Sequence, residues 1–145
     1  MKLPEGLEEG ATVLLDTAPI IAVLDGRDKA LKKRFLPFFK AAEEGSLFII
    51  VSAVTLAEVM VGPLIHGDEI LAERYRRALT STRNWKVEPV SIETAALAAR
   101  MRVKYRLKLP DAIQLATAIN AGAGALVTYD RDFKGICELP IMGGR

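Results

Sequence analysis

The sequence predicts an α/β fold with a mainly parallel sheet and helices on both faces. Short apolar runs such as Thr12–Leu15 and Leu47–Val51 alternate with longer segments whose apolar residues recur at helical spacing. The runs are apolar throughout rather than alternating, as strands covered on both faces require. Hydrophobic residues make up 50% of 145 and charged residues 26%, which suits one folded core and argues against disorder. We expect a single domain over 1–145, with 1–11 as a leader that is either ordered or a tail.

The elements follow in order. Thr12–Leu15 reads as a strand ending at Asp16, and Thr17 as a cap for a helix with Pro19 in its first turn. Asp28–Glu44 reads as an amphipathic helix, with Leu31, Phe35, Phe38, Phe39 and Ala42 on one side, Pro37 as a kink or a break and Gly45 as its stop. Leu47–Val51 is a buried strand. Ser52 opens a helix expected to break at Gly62-Pro63. Asp68–Leu79 is a second helix, Trp85–Val90 a strand, and Ser91 caps a helix over Ile92–Leu107. Pro110 opens a helix to Ala121. Ala125–Thr128 is a strand, and Ile136–Leu139 is read as a final short one that buries Cys137.

Composition excludes several classes. One cysteine cannot close an intramolecular disulfide, and one cysteine with one histidine cannot build a structural zinc site. The first ten residues hold three glutamates and a proline, so no export signal is read there. The uncharged stretch Ser46–Ala57 is 12 residues long, too short to span a membrane. The uncharged stretch Ala112–Tyr129 carries Gln114, Asn120, Gly122 and Gly124, which read as a helix, a stop and a strand. We expect a soluble, cytoplasmic chain.

Four acids stand at comparable places. Asp16 ends the first strand, Glu58 lies one to two turns into a helix, Asp111 sits in a helix first turn, and Asp130 lies just past a strand. In open parallel sheets the ligand site lies at the carboxyl ends of the strands. The acids are 42, 53 and 19 residues apart in turn, so only a fold could gather them. Clustered carboxylates repel, and a hard divalent cation, Mg²⁺ or Mn²⁺, relieves the repulsion. If four acids serve a metal, 20 basic residues face 14 remaining acids, a surplus of +6 that suits a polyanion. Each acid also has a plainer explanation: Asp16 as a turn or cap, Asp111 as helix-start chemistry, Glu58 as a solvated or ion-paired helix position.

Taken together, LLDTAPIIA, VSAVTLAEVMVGPL, LPDAIQLATA and LVTYDRDF resemble the four motifs of the PIN-domain family, and more narrowly its VapC-type toxin ribonucleases. The resemblance runs from about Thr12 to Leu139. It implies a three-layer α/β/α sandwich with a central, mainly parallel sheet. It implies a Mg²⁺- or Mn²⁺-dependent endoribonuclease, the toxin of a toxin–antitoxin pair, which leaves 5′-phosphate and 3′-hydroxyl ends. The family's catalytic and metal-holding acids carry over onto Asp16, Glu58, Asp111 and Asp130. Thr128 carries the family's hydroxyl near the last acid. Asp132 either caps the turn before Phe133 or assists through water. Thr55 is given a structural role only. The implied partners are RNA, an antitoxin and a second copy of the chain, with no membrane.

Other features have two readings. Arg100, Lys104 and Lys108 form either a phosphate-tracking stripe or a solvated helix face; Glu69, Glu73 and Arg77 read as helix surface pairing. Trp85 and Tyr75 fit core or interface roles as well as base stacking. Exposure of Phe35, Phe38 and Phe39 would call for a covering partner. Competing functions are a non-catalytic RNA- or protein-binding module with this fold, and a nuclease of RNA maturation without a toxic role. A phosphoacceptor receiver domain would want adjacent acids after the first strand, whereas Thr17-Ala18 follow Asp16.

Overall fold

A computed structural model describes residues 3–143. One five-stranded, all-parallel sheet forms from β1 (Ala11–Leu15), β2 (Leu47–Ser52), β3 (Trp85–Glu88), β4 (Ala125–Val127) and β5 (Ile141–Met142), in the order β3-β2-β1-β4-β5. Six helices accompany it: α1 (Thr17–Asp25), α2 (Lys29–Glu43), α3 (Ala53–Ile65), α4 (Glu69–Thr80), α5 (Ile92–Tyr105) and α6 (Leu109–Asn120).

The apolar strands split their side chains between two cores. Val13 and Leu15, Ile49 and Val51, and Ala125 and Val127 point to one face, where they meet Ile20, Phe35, Phe38, Ala42, Val59 and Leu79 from α1 to α4. Leu14, Ile50 and Leu126 point to the other, against Ala98 and Met101 of α5 and Ala112, Leu115 and Ala116 of α6. This period-2 division across fully apolar strands produces the three layers expected from the sequence. Phe35 and Phe38 are buried, while Phe39 is partly exposed and packs on Trp85.

Several local expectations are corrected. Asp16, not Thr17, caps α1: its carboxylate accepts the Thr17 amide at 2.8 Å. α3 runs through Gly62-Pro63 to Ile65, because a proline in the last turn removes only one donor and its ring is buried. α2 likewise continues through Pro37. The last strand is Ile141–Met142 rather than Ile136–Leu139, since the chain first makes a 3₁₀ turn at Arg131–Phe133 that buries Phe133. Cys137 is therefore exposed. Ahead of β1, Leu3 and Leu7 pack against the first core, and the Gly10 amide donates to the Ser46 carbonyl at 2.8 Å. Residues 1 and 2 of the leader lie outside the described residues. Among the described residues, no helix is long and apolar enough to cross a membrane.

β1 is paired with β2 on one side and β4 on the other. The chain reverses its direction of sheet growth there, so a crevice opens beyond the carboxyl ends of β1 and β4.

Candidate active site

Each acid reaches this crevice through its element. Asp16 follows the last residue of β1 and is 6% exposed. Its Oδ1 accepts from the Thr17 amide at 2.8 Å and from Gln114 Nε2 at 2.9 Å, while its Oδ2 accepts from Thr128 Oγ1 at 2.8 Å. Burial raises the Asp16 pKa; the Thr128, Thr17 and Gln114 hydrogen bonds oppose the rise and the Asp130 charge adds to it.

Thr128, just past β4, is fully buried and faces both ways. While it donates to Asp16, its Oγ1 accepts the Asp130 amide at 3.0 Å. Asp130 in turn caps the 3₁₀ turn, with Oδ1 accepting the Asp132 amide at 2.8 Å. The cap of this turn is therefore Asp130 and not Asp132, whose carboxylate lies near those of Asp111 and Asp130.

Asp111 stands in the first turn of α6, after Pro110. Carboxylate oxygens of Asp111, Asp130 and Asp132 lie within 4.8 Å of one another. Burial first, then the charges of Asp16, Asp130, Asp132 and Glu58, push the Asp111 pKa up to about 7. Glu58 reaches in from the second turn of α3, where Thr17 Oγ1 donates to its Oε1 at 2.7 Å. All four acids singled out from the sequence thus share one crevice. The tightest group contains Asp132 and omits Asp16 and Glu58.

Two residues at the centre of the site escaped the sequence reading. Gln114 and Thr55 are buried, and Gln114 Nε2 donates to Thr55 Oγ1 at 2.6 Å. Thr55 is assigned a purely structural role in the sequence reading, yet it sits inside the acid network. The available signal was spacing: Gln114 stands three residues after Asp111, and Thr55 three before Glu58, each on the same helix face as its acid.

The donor set is all carboxylate oxygen, which fits a hard divalent cation. Burial and, after it, the neighbouring carboxylate charges raise Asp111 to about 7, and a bound cation would offset both by favouring the ionised form. Beside the acids, Lys108, Tyr129 and Arg131 line an open cleft of about 440 Å³. On the Glu58 side, a cleft of about 240 Å³ runs between α1, α3 and α4, lined by Ile21, Val59, His66, Leu71 and Tyr75.

Residues 13–139 match the family model of the PIN domain. The chain belongs to the PIN domain family. Solved structures resemble this PIN domain along most of its length. A toxin–antitoxin complex from Klebsiella pneumoniae has a chain 32% identical, with a TM-score of 0.67, covering 88% of this chain and 94% of that one. VapBC2 of Rickettsia felis, bound to a promoter DNA fragment, gives a TM-score of 0.70 at 17% identity over 90% and 97%. VapC20 of Mycobacterium tuberculosis, a toxin that cleaves the sarcin–ricin loop, gives 0.69 at 18% identity over 88% and 98%. No curated protein matches this PIN domain in sequence.

Proposed function

We propose that this PIN domain is a divalent-cation-dependent endoribonuclease and the toxin of a toxin–antitoxin pair. The observation that carries the reading is the gathering of Asp16, Glu58, Asp111, Asp130 and Asp132 in one crevice, with Asp111 raised by burial and by the other four charges.

Asp111, Asp130 and Asp132 would hold a Mg²⁺ or Mn²⁺ ion, and Asp16 and Glu58 would hold it directly or through its waters. A divalent cation there supplies Lewis-acid polarisation of a phosphodiester oxygen and of the attacking water. The chain's own residues do the positioning. Three hydrogen bonds lock both Asp16 oxygens in place. Thr128 couples that carboxylate to the Asp130 backbone. Lys108 and Arg131, exposed at the rim of the cleft, meet the phosphates flanking the scissile one. Of the stripe read over Arg100, Lys104 and Lys108, Lys104 pairs with Glu138 at 2.9 Å and Lys108 lines the cleft.

An antitoxin partner is supported by the 32% identical chain, which was solved as a toxin–antitoxin complex. It is also supported by Val61, Leu64 and Ile65 of α3 and Ile70 of α4, which expose apolar surface. A homodimer is supported by Ile92 and Val103, exposed on α5.

The deciding experiment is cleavage of labelled RNA with Mg²⁺ or Mn²⁺. Cutting is expected to stop with EDTA and to fall at least about 100-fold in Asp16→Asn, which leaves one carboxylate oxygen replaced by a donor facing Thr128 or Gln114. RNA that stays intact, together with no cation binding by calorimetry, would refute the nuclease reading in favour of a binding module.

A further inference from the structure

The Gln114 amide is used on one side only. It is 1% exposed, and its Oε1 is buried with no hydrogen-bond partner among the described residues. Its Nε2 donates to Asp16 Oδ1 at 2.9 Å and to Thr55 Oγ1 at 2.6 Å, with Thr17 Oγ1 at 3.4 Å. Turning the amide over would give Oε1 the Thr55 hydroxyl as a donor. It would also set that oxygen 2.9 Å from Asp16 Oδ1, acceptor against acceptor. The unpaired oxygen is the consequence of keeping the nitrogen on Asp16.

The hydroxyl protons are then ordered in one way. An ionised carboxylate only accepts. Thr17 Oγ1 therefore gives its one proton to Glu58 Oε1, at 2.7 Å. In the 3.0 Å contact between Thr17 and Thr55, Thr55 must be the donor. Thr55 in turn accepts from Gln114. The result is a directed chain from Gln114 through Thr55 and Thr17 to Glu58, and a second branch from the same nitrogen to Asp16. One amide on α6 ties together carboxylates carried at the end of β1 and on α3.

We propose that Gln114, acting through Thr55 and Thr17, is the positioning residue that fixes Asp16 and Glu58 relative to each other at the cation site. A buried amide oxygen left unpaired is uncommon and tends to mark a functional constraint rather than a contribution to stability. The inference rests on the cation reading above.

The test is Mn²⁺ binding by calorimetry, below the melting temperature, for wild type, Gln114→Met and Thr55→Val. Methionine keeps the length and apolar bulk of the side chain but removes both donors and the unpaired oxygen. Gln114→Met should weaken Mn²⁺ roughly 10–100-fold, as loss of a residue that orients metal ligands commonly does. Its kcat on RNA should fall while KM is unchanged. Thr55→Val cuts only the branch to Glu58 and should show a smaller loss in the same direction; Thr55→Ser, which keeps the hydroxyl, should restore wild-type affinity. Wild-type Mn²⁺ affinity in both Gln114→Met and Thr55→Val, whatever their melting temperatures, would overturn the positioning role alone. Absence of Mn²⁺ binding by the wild type would overturn the cation reading and this inference with it.

Discussion

Asp111 is where the charge of the site is felt most. Its ordinary value of 3.8 is pushed up to about 7 by burial and by Asp16, Asp130, Asp132 and Glu58. A carboxyl raised in the folded state binds more protons folded than unfolded between those two values. Its contribution to stability is therefore full at low pH and is lost as pH rises through about 7. A cation reverses the preference, because it needs the ionised form. Mn²⁺ binding at about pH 6 should accordingly release most of a proton, and at about pH 8 almost none. Calorimetry in buffers of different ionisation heat measures this; a binding enthalpy independent of buffer at the lower pH would contradict the assignment. The acids themselves were legible in the sequence, since each stands at a strand end or an early helical turn. Gln114 was harder to single out, because an uncharged glutamine one turn after Asp111 adds nothing to the pattern of acids. Its partners Asp16 and Thr55 are 98 and 59 residues away.

At the scale of elements, the register of β3 depends on one residue in a left-handed conformation. Asn84 has φ +67°, and its Nδ2 donates to the Ala42 carbonyl near the end of α2 at 2.8 Å. Its own carbonyl accepts the Ile49 amide of β2 at 2.9 Å. Asparagine is among the few residues that adopt this conformation readily. Asn84→Ala should cost about 2 kcal/mol through the lost bond and the backbone strain. At this chain length that lowers Tm by roughly 4–8 °C in a thermal melt. Asn84→Gly, which accepts the backbone but lacks the bond, should lose about half as much. Helix and strand types were legible from apolar periodicity. Their ends were less so: α3 passes through Gly62-Pro63, and the last strand waits until the 3₁₀ turn has buried Phe133.

At the scale of the whole molecule, the crevice is an electrostatic load borne by the fold. The acids come from the segment after β1, from α3, from α6 and from the segment after β4, so their repulsion acts between elements that must pack together. A ligand that binds only the folded state stabilises it by mass action, by about 2.7 kcal/mol at a hundredfold excess over its dissociation constant. Mn²⁺ at that excess should therefore raise Tm by roughly 5–10 °C, measured at about pH 8, where Asp111 is ionised. The same ion should leave Asp111→Asn nearly unshifted. An equal rise in both proteins would place the bound ion elsewhere.

By itself, the sequence determined the layering and the places where acids stand. Strands apolar on both faces must be covered on both faces, and that constraint is local enough to read from composition along the chain. The tertiary structure alone decided which acids become neighbours. It set Asp132 beside Asp111 and Asp130, drew Asp16 back onto Thr17, Thr128 and Gln114, and left Cys137 in solvent. These outcomes depend on distances of a few ångströms between residues far apart in the chain. They follow from the packing of α6 and α3 against the ends of β1 and β4, which no local pattern encodes.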